Sequence, residues 1–130
     1  MLKTAIEIVR SALDAFNRRD LEELLELTDP GAEFWPLRSV LEGRPYRGHD
    51  GLREFFEDTK QEWSELTIEP EEWRDLGDTV LVIGHFHARG RSSGVELNSP
   101  AGWLVSVRDG KLAYLHAYSD PEEAVLASEQ

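Results

Sequence analysis

Two runs of alternating apolar residues flank an Asp-Gly pair within Gly102–Asp120 (GWLVSVRDGKLAYLHAYSD), and this stretch limits the possible folds more than any other. Trp103, Val105 and Val107 alternate along the first run, Arg108-Asp109-Gly110-Lys111 turns, and Leu112–Tyr118 forms the second run. An apolar period of two on either side of Asp-Gly signals a tight hairpin, because Asp and Gly tolerate the positive φ that the turn requires. Leu104 adds bulk to the opposite face. Strands that are bulky on both faces are covered on both sides, so the pair is expected in the middle of a sheet.

The remaining chain supplies helices first and strands afterwards. Thr4-Ala5-Ile6-Glu7 is a capping box, and Ile6, Val9, Leu13 and Phe16 mark one helical face up to Arg18. Asp20 caps a shorter helix that ends at Asp29-Pro30-Gly31. Ala32–Leu37 reads as a short strand, placed at an edge or bulge by Pro36. Ser39–Gly48 reads as a loop, followed by a helix from about Asp50 with Leu52, Phe55, Phe56, Thr59 and Trp63 at spacings of three and four. Strands then follow in series at Leu66–Arg74, Thr79–Arg89, Val95–Val107 (interrupted at Asn98-Ser99-Pro100) and Leu112–Ser119. Asp120-Pro121-Glu122-Glu123 opens a final helical turn, with Asp120 as N-cap. Helices followed by a meander give the α+β class, with the helices on one face of a curved sheet.

The 130 residues fit a single domain spanning 1–130, with no repeat or linker. Cysteine is absent, which excludes disulfides, thiolate metal sites and cysteine nucleophiles and suits a cytoplasmic location. The N-terminus, MLKTAIEIVR, lacks the apolar core of a signal peptide, and no run approaches a membrane span. Fourteen basic residues against 26 acidic ones leave a formal charge of −12, the wrong sign for gripping nucleic acid or anionic lipid.

Three stretches carry a resemblance to a known family. They are Asn17-Arg18-Arg19-Asp20-Leu21, Tyr46-Arg47-Gly48-His49-Asp50-Gly51-Leu52-Arg53-Glu54-Phe55-Phe56, and Ala117-Tyr118-Ser119-Asp120-Pro121. In order and spacing the chain resembles the SnoaL-like branch of the superfamily of nuclear transport factor two and ketosteroid isomerase. The resemblance implies a cone-shaped, cystatin-like roll in which three N-terminal helices pack on a strongly curved, mainly antiparallel sheet. It also implies a pocket between helices and concave face, and commonly a homodimer through the outer face. It spans isomerases, polyketide cyclases, epoxide hydrolases, dehydratases and non-enzymatic adaptors, so fold alone does not select an activity. Position by position, the residues that perform those chemistries fall near Ala12, Trp35 or Pro36, Gly102 or Trp103, Gly84, Phe86 and Ala117. None of these carries the required side chain.

Two faces of the sheet therefore compete for the function. If Val82, Gly84, Phe86 and Ala88 face inward, they meet Trp103, Val105, Leu115 and Ala117, and Trp35, Tyr46, Phe56 and Trp63 close the mouth and floor. This would be an aromatic-lined pocket for a small hydrophobic molecule, with room left by Gly84 and Ala117, or else a filled core. Any catalysis (isomerase, cyclase, lyase or hydrolase) would be general acid–base chemistry without a cofactor. The opposite face would carry Ile83, His85, His87, Leu104, Tyr114, His116 and Tyr118, an apolar surface with polar tips suited to a dimer interface. His85, His87 and His116 are metal ligands by type. In a meander, however, an intervening strand places the third about 9–10 Å across the sheet, so no metal is expected. A register slip of one residue in Thr79–Arg89 would instead turn His85 and His87 into the cavity. Asp120 and Glu123 read as helix capping, Asn17 and Asp20 as cap and turn, and His49 as a titratable ring near the rim.

Overall fold

The computed structural model describes residues 3–130. Helices α1 (Ala5–Asn17) and α2 (Leu21–Glu26) lead into β1 (Thr28–Trp35), the short helix α3 (Leu37–Glu42) and β2 (Tyr46–Arg47). Helix α4 (Gly48–Glu62) precedes strands β3 (Trp63–Asp75), β4 (Thr79–Gly90), β5 (Glu96–Arg108) and β6 (Lys111–Tyr118), and α5 (Pro121–Ser128) closes the chain. The six strands form one sheet in the order β2-β1-β6-β5-β4-β3. Only β1 and β6 run parallel; the other neighbours are antiparallel. This is the α+β roll anticipated from the sequence. Among the described residues no helix is long and apolar enough to cross a membrane, which says nothing of strands.

The hairpin β5–β6 occupies the two central positions of the sheet. Its turn holds Asp109 at φ 53° and Gly110 at φ 77°, the doubly positive pair of a type I′ turn. Register places Trp103 opposite Ala117, Val105 opposite Leu115, and Val82 opposite Trp103 on the neighbouring strand. These side chains share the concave face with Ile8, Val9, Leu13 and Phe16 of α1, forming the main core. The Thr4 hydroxyl accepts from the Glu7 N–H at 3.3 Å, starting α1 where the capping pattern places it.

Several local expectations are corrected. The expected loop Ser39–Gly48 contains α3 and β2, and Pro36 is the N-cap of α3 rather than a strand residue. Strand β5 runs without a break through Asn98-Ser99-Pro100. Proline is tolerated there because β6 pairs with β5 only from Gly102 onward, so Pro100 meets β4 on one side and an open edge on the other. The final helical turn extends to two turns in α5, started by Asp120 accepting from the Glu122 N–H at 2.9 Å. Helix α5 also packs on the face opposite the other helices. A Cβ on Gly102 would lie 2.5 Å from Ala124 Cβ and 3.2 Å from Ile83 Cδ1, so glycine lets α5 sit directly on the sheet. Asn17 does more than end α1: its amide donates to the Ile68 carbonyl at 2.8 Å and accepts from the Ile68 N–H at 2.9 Å. That pair of bonds fastens α1 to β3 as a strand neighbour would.

Candidate functional site

Between the concave face and the helices lies an open cavity of about 410 Å³. Of the residues expected around it, Tyr46, Trp63, Phe86, Trp103, Leu115 and Ala117 are among its lining. Trp35, Phe56 and Gly84 are not, for three separate reasons. On β1 the side chain turned to the core is Phe34, whereas Trp35 stacks on His116 of the outer face with ring centroids 6.0 Å apart. On α4 the lining ring is Phe55, and Phe56 lies behind Phe16, edge-on to it at 5.9 Å. Arg19 covers that rear side, its guanidinium 4.7 Å from the Phe16 ring and 5.8 Å from the Phe56 ring. Burial lowers the Arg19 pKa. Gly84 is small because β3 crosses it: a Cβ there would penetrate the Glu69 carbonyl oxygen and stand 3.0 Å from Pro70 Cα. The β3–β4 register shifts at Pro70/Glu72, so the glycine marks a bulge of the curved sheet, not space left for a ligand.

The register of β4 puts His85 and His87 on the outer face, where their ring nitrogens meet Glu71 at 2.6 Å and Glu69 at 2.7 Å. The slipped register that would aim them inward is not adopted. Ile83, under α5, and Leu104 share this face through their pairing with Gly102 and His116. His116 is the centre of an aromatic row, 4.4 Å from Tyr118 and 6.3 Å from Tyr114 by ring centroid. Among the described residues no group of three His, Cys, Asp or Glu side chains is close enough to hold a metal ion. His49 is tied down rather than offered to the rim: its Nε2–H donates to the Thr28 carbonyl at 2.8 Å.

The cavity wall is apolar where the resemblance would place chemistry. Ala12, Pro36, Phe86, Trp103 and Ala117 all line it, and none can move a proton at neutral pH. Its polar groups come from another quarter, the mouth formed by α3, β2 and α4. There the Tyr46 hydroxyl donates to Asp58 Oδ2 at 2.6 Å. Burial, and then that bond, raise the Tyr46 pKa above the ordinary phenol value, so Tyr46 stays a neutral donor. Arg38 reaches from α3 to donate to Glu42 at 3.0 Å and across the mouth to Glu62 of α4 at 2.6 Å. The Thr59 hydroxyl turns back to the Phe56 carbonyl at 3.1 Å. Asp58 and Glu62 were not foreseen. They sit three and seven positions after Phe55, which places two carboxylates on the apolar face of α4, and that misplaced charge was the available signal.

A curved sheet closed by helices around an open apolar cavity defines the class of proteins with the fold of nuclear transport factor two. Within that class, the SnoaL-like domain matches residues 9–115, and the chain belongs to this family. Solved structures agree in fold. A protein of unknown function from Burkholderia pseudomallei, similar to nuclear transport factor two, superposes with a TM-score of 0.80 at 20% identity, covering 96% of this chain and 97% of its own. TerC, crystallised with polyporic acid, gives 0.78 at 23% identity over 97% and 98% of the two chains. A candidate SnoaL-like polyketide cyclase from Shewanella denitrificans gives 0.77 at 15% identity over 97% and 96%. No functionally curated protein matches the sequence.

Proposed function

We propose that this SnoaL-like domain binds a small, largely apolar molecule in the cavity between α1, α4 and the concave sheet face. The observation that carries this reading is the cavity's composition: aromatic and aliphatic walls over about 410 Å³, with polar groups gathered at one end around Tyr46 and Asp58. Sites of this size with a few convergent polar groups are the usual form of small-molecule pockets. The crystallisation of TerC, which shares the fold, with polyporic acid is consistent with it. If the domain is an enzyme, its general base is Asp58, the carboxylate accepting a proton from a bound molecule while the Tyr46 hydroxyl holds that carboxylate in place.

Ala117 offers the test. It is buried opposite Trp103, with its side chain at the cavity wall, so Ala117→Leu fills the cavity from the sheet side. A thermal-shift screen of the purified protein against fused-ring aromatics, steroids and fatty acids should give hits that Ala117→Leu abolishes. A ligand at a hundred times its dissociation constant adds about 2.7 kcal/mol of stability, several degrees for a domain this small. Hits that survive in Ala117→Leu would place binding elsewhere.

A second reading concerns the outer face, where Trp35, His116, Tyr118 and Tyr114 form an aromatic row beside α5. Such a row suits association with a second copy of the chain. His116→Asp should then shift a dimer to monomer in sedimentation velocity, and an unchanged profile would remove this reading.

A further inference from the structure

The charges around the cavity do not balance, and this decides which small molecule suits it, provided the cavity is the ligand site proposed above. One cation, Arg38, and three carboxylates, Glu42, Asp58 and Glu62, are among its lining residues. Arg38 is divided between Glu42 and Glu62. Asp58, one helical turn before Glu62, has no Lys, Arg or His within ion-pair distance among the described residues, and its hydrogen bond comes from the neutral phenol of Tyr46. That bond uses the one hydrogen Tyr46 has, so toward the cavity the phenol oxygen offers only lone pairs. The end of an apolar cavity thus presents acceptors and an uncompensated negative charge.

We propose that the ligand carries a protonated amine on an apolar, preferably aromatic, body, with its ammonium group against Asp58 and the Tyr46 oxygen. An N–H donor with positive charge satisfies both acceptors and neutralises the carboxylate, and such a charge-assisted bond is roughly twice as strong as a neutral one. Tyr46, Phe55 and Trp63 line the same cavity, and aromatic rings attract a cation placed over their faces. A carboxylate or enolate ligand would meet three like charges and no free phenol hydrogen. A neutral alcohol could donate one bond but would leave Asp58 without a counter-charge. The chain's net charge of −12 acts in the same direction, concentrating cations at its surface and repelling anions.

The experiment compares three molecules of one shape: aminomethylanthracene, hydroxymethylanthracene and anthracene carboxylic acid, titrated by fluorescence at neutral pH into the wild type and Asp58→Asn. The amine should bind about tenfold or more tighter than the alcohol, and the acid weakest, the difference expected of one charge-assisted bond. Asp58→Asn keeps an acceptor for Tyr46, so it should erase the amine's advantage while alcohol binding stays within about threefold. Alcohol binding as tight as amine binding, tighter binding of the acid, or an equal loss for amine and alcohol in the variant would overturn the amine assignment and leave the cavity reading standing. No binding of any of the three to folded protein would remove both.

Discussion

Tyr46 is the side chain on which most can be tested. Its hydroxyl is bonded to Asp58, and burial together with that bond keeps it protonated above the ordinary value of 10. Burial raises Tyr114 and Tyr118 in the same direction. The unfolded chain releases these protons once the pH passes 10, while the folded protein retains them. Stability that is fully present below pH 10 is therefore lost as the pH rises further. Tyr46→Phe removes one such group, so it should cost about 1 kcal/mol at neutral pH for the lost bond and flatten the alkaline decline. Thermal unfolding of both proteins between about pH 8 and about pH 11 measures this, and parallel curves would show that Tyr46 titrates as freely as in water. At this scale the sequence is ambiguous where two aromatic residues stand side by side. Phe34-Trp35 and Phe55-Phe56 each put a ring on either face, so the apolar period alone cannot say which one points inward. The structure chooses Phe34 and Phe55, and both choices differ by one residue from the expected ones.

Elements meet here through small residues and one amide. Gly84→Ala would drive a Cβ into the β3 backbone at Glu69, and neither strand can retreat without breaking its ladder. A loss of about 3 kcal/mol in chemical denaturation is expected, with ligand binding failing only because folding fails. Gly102→Ala meets a side chain instead, Ala124 Cβ at 2.5 Å, so α5 should lift from the sheet and the main core should survive. Pairing it with Ala124→Gly should restore most of the lost stability, whereas additive losses would mean that α5 does not bear on Gly102. Asn17→Ala opens both bonds to Ile68 and should cost about 1–3 kcal/mol. Strands β1 and β3 to β6, the hairpin turn and helices α1, α2 and α4 were legible because hydrophobic period and capping residues are local signals, whereas the two-residue β2 was not. The position of α5 was not, since a lone glycine on a strand says that something approaches closely without saying what. The polar mouth was hidden for the same reason: Tyr46 and Asp58 are twelve positions apart and meet only once β2 turns into α4.

For the molecule as a whole, the charge of −12 sets a condition on every measurement. Self-repulsion destabilises the compact state, and added salt screens it over about 10 Å at 0.1 M. The melting temperature should rise by several degrees between about 10 mM and about 200 mM sodium chloride. A flat response would mean that cross-linked pairs such as Arg18 with Asp14, Asp20 and Glu23 already neutralise the surface locally. The parallel pairing of β1 with β6 carries one more consequence, for the order of events in folding. Trp35 faces His116 and Phe34 faces Leu115, so the wall holding Phe34 and Leu115 closes over most of the chain's length. The β5–β6 hairpin can zip from its own turn, but this closure must first overcome the entropy of a long loop. Refolding should therefore bury Trp103 before the cavity exists. A ligand would then stabilise the last-formed wall and slow unfolding, while the rate at which folding begins stays the same.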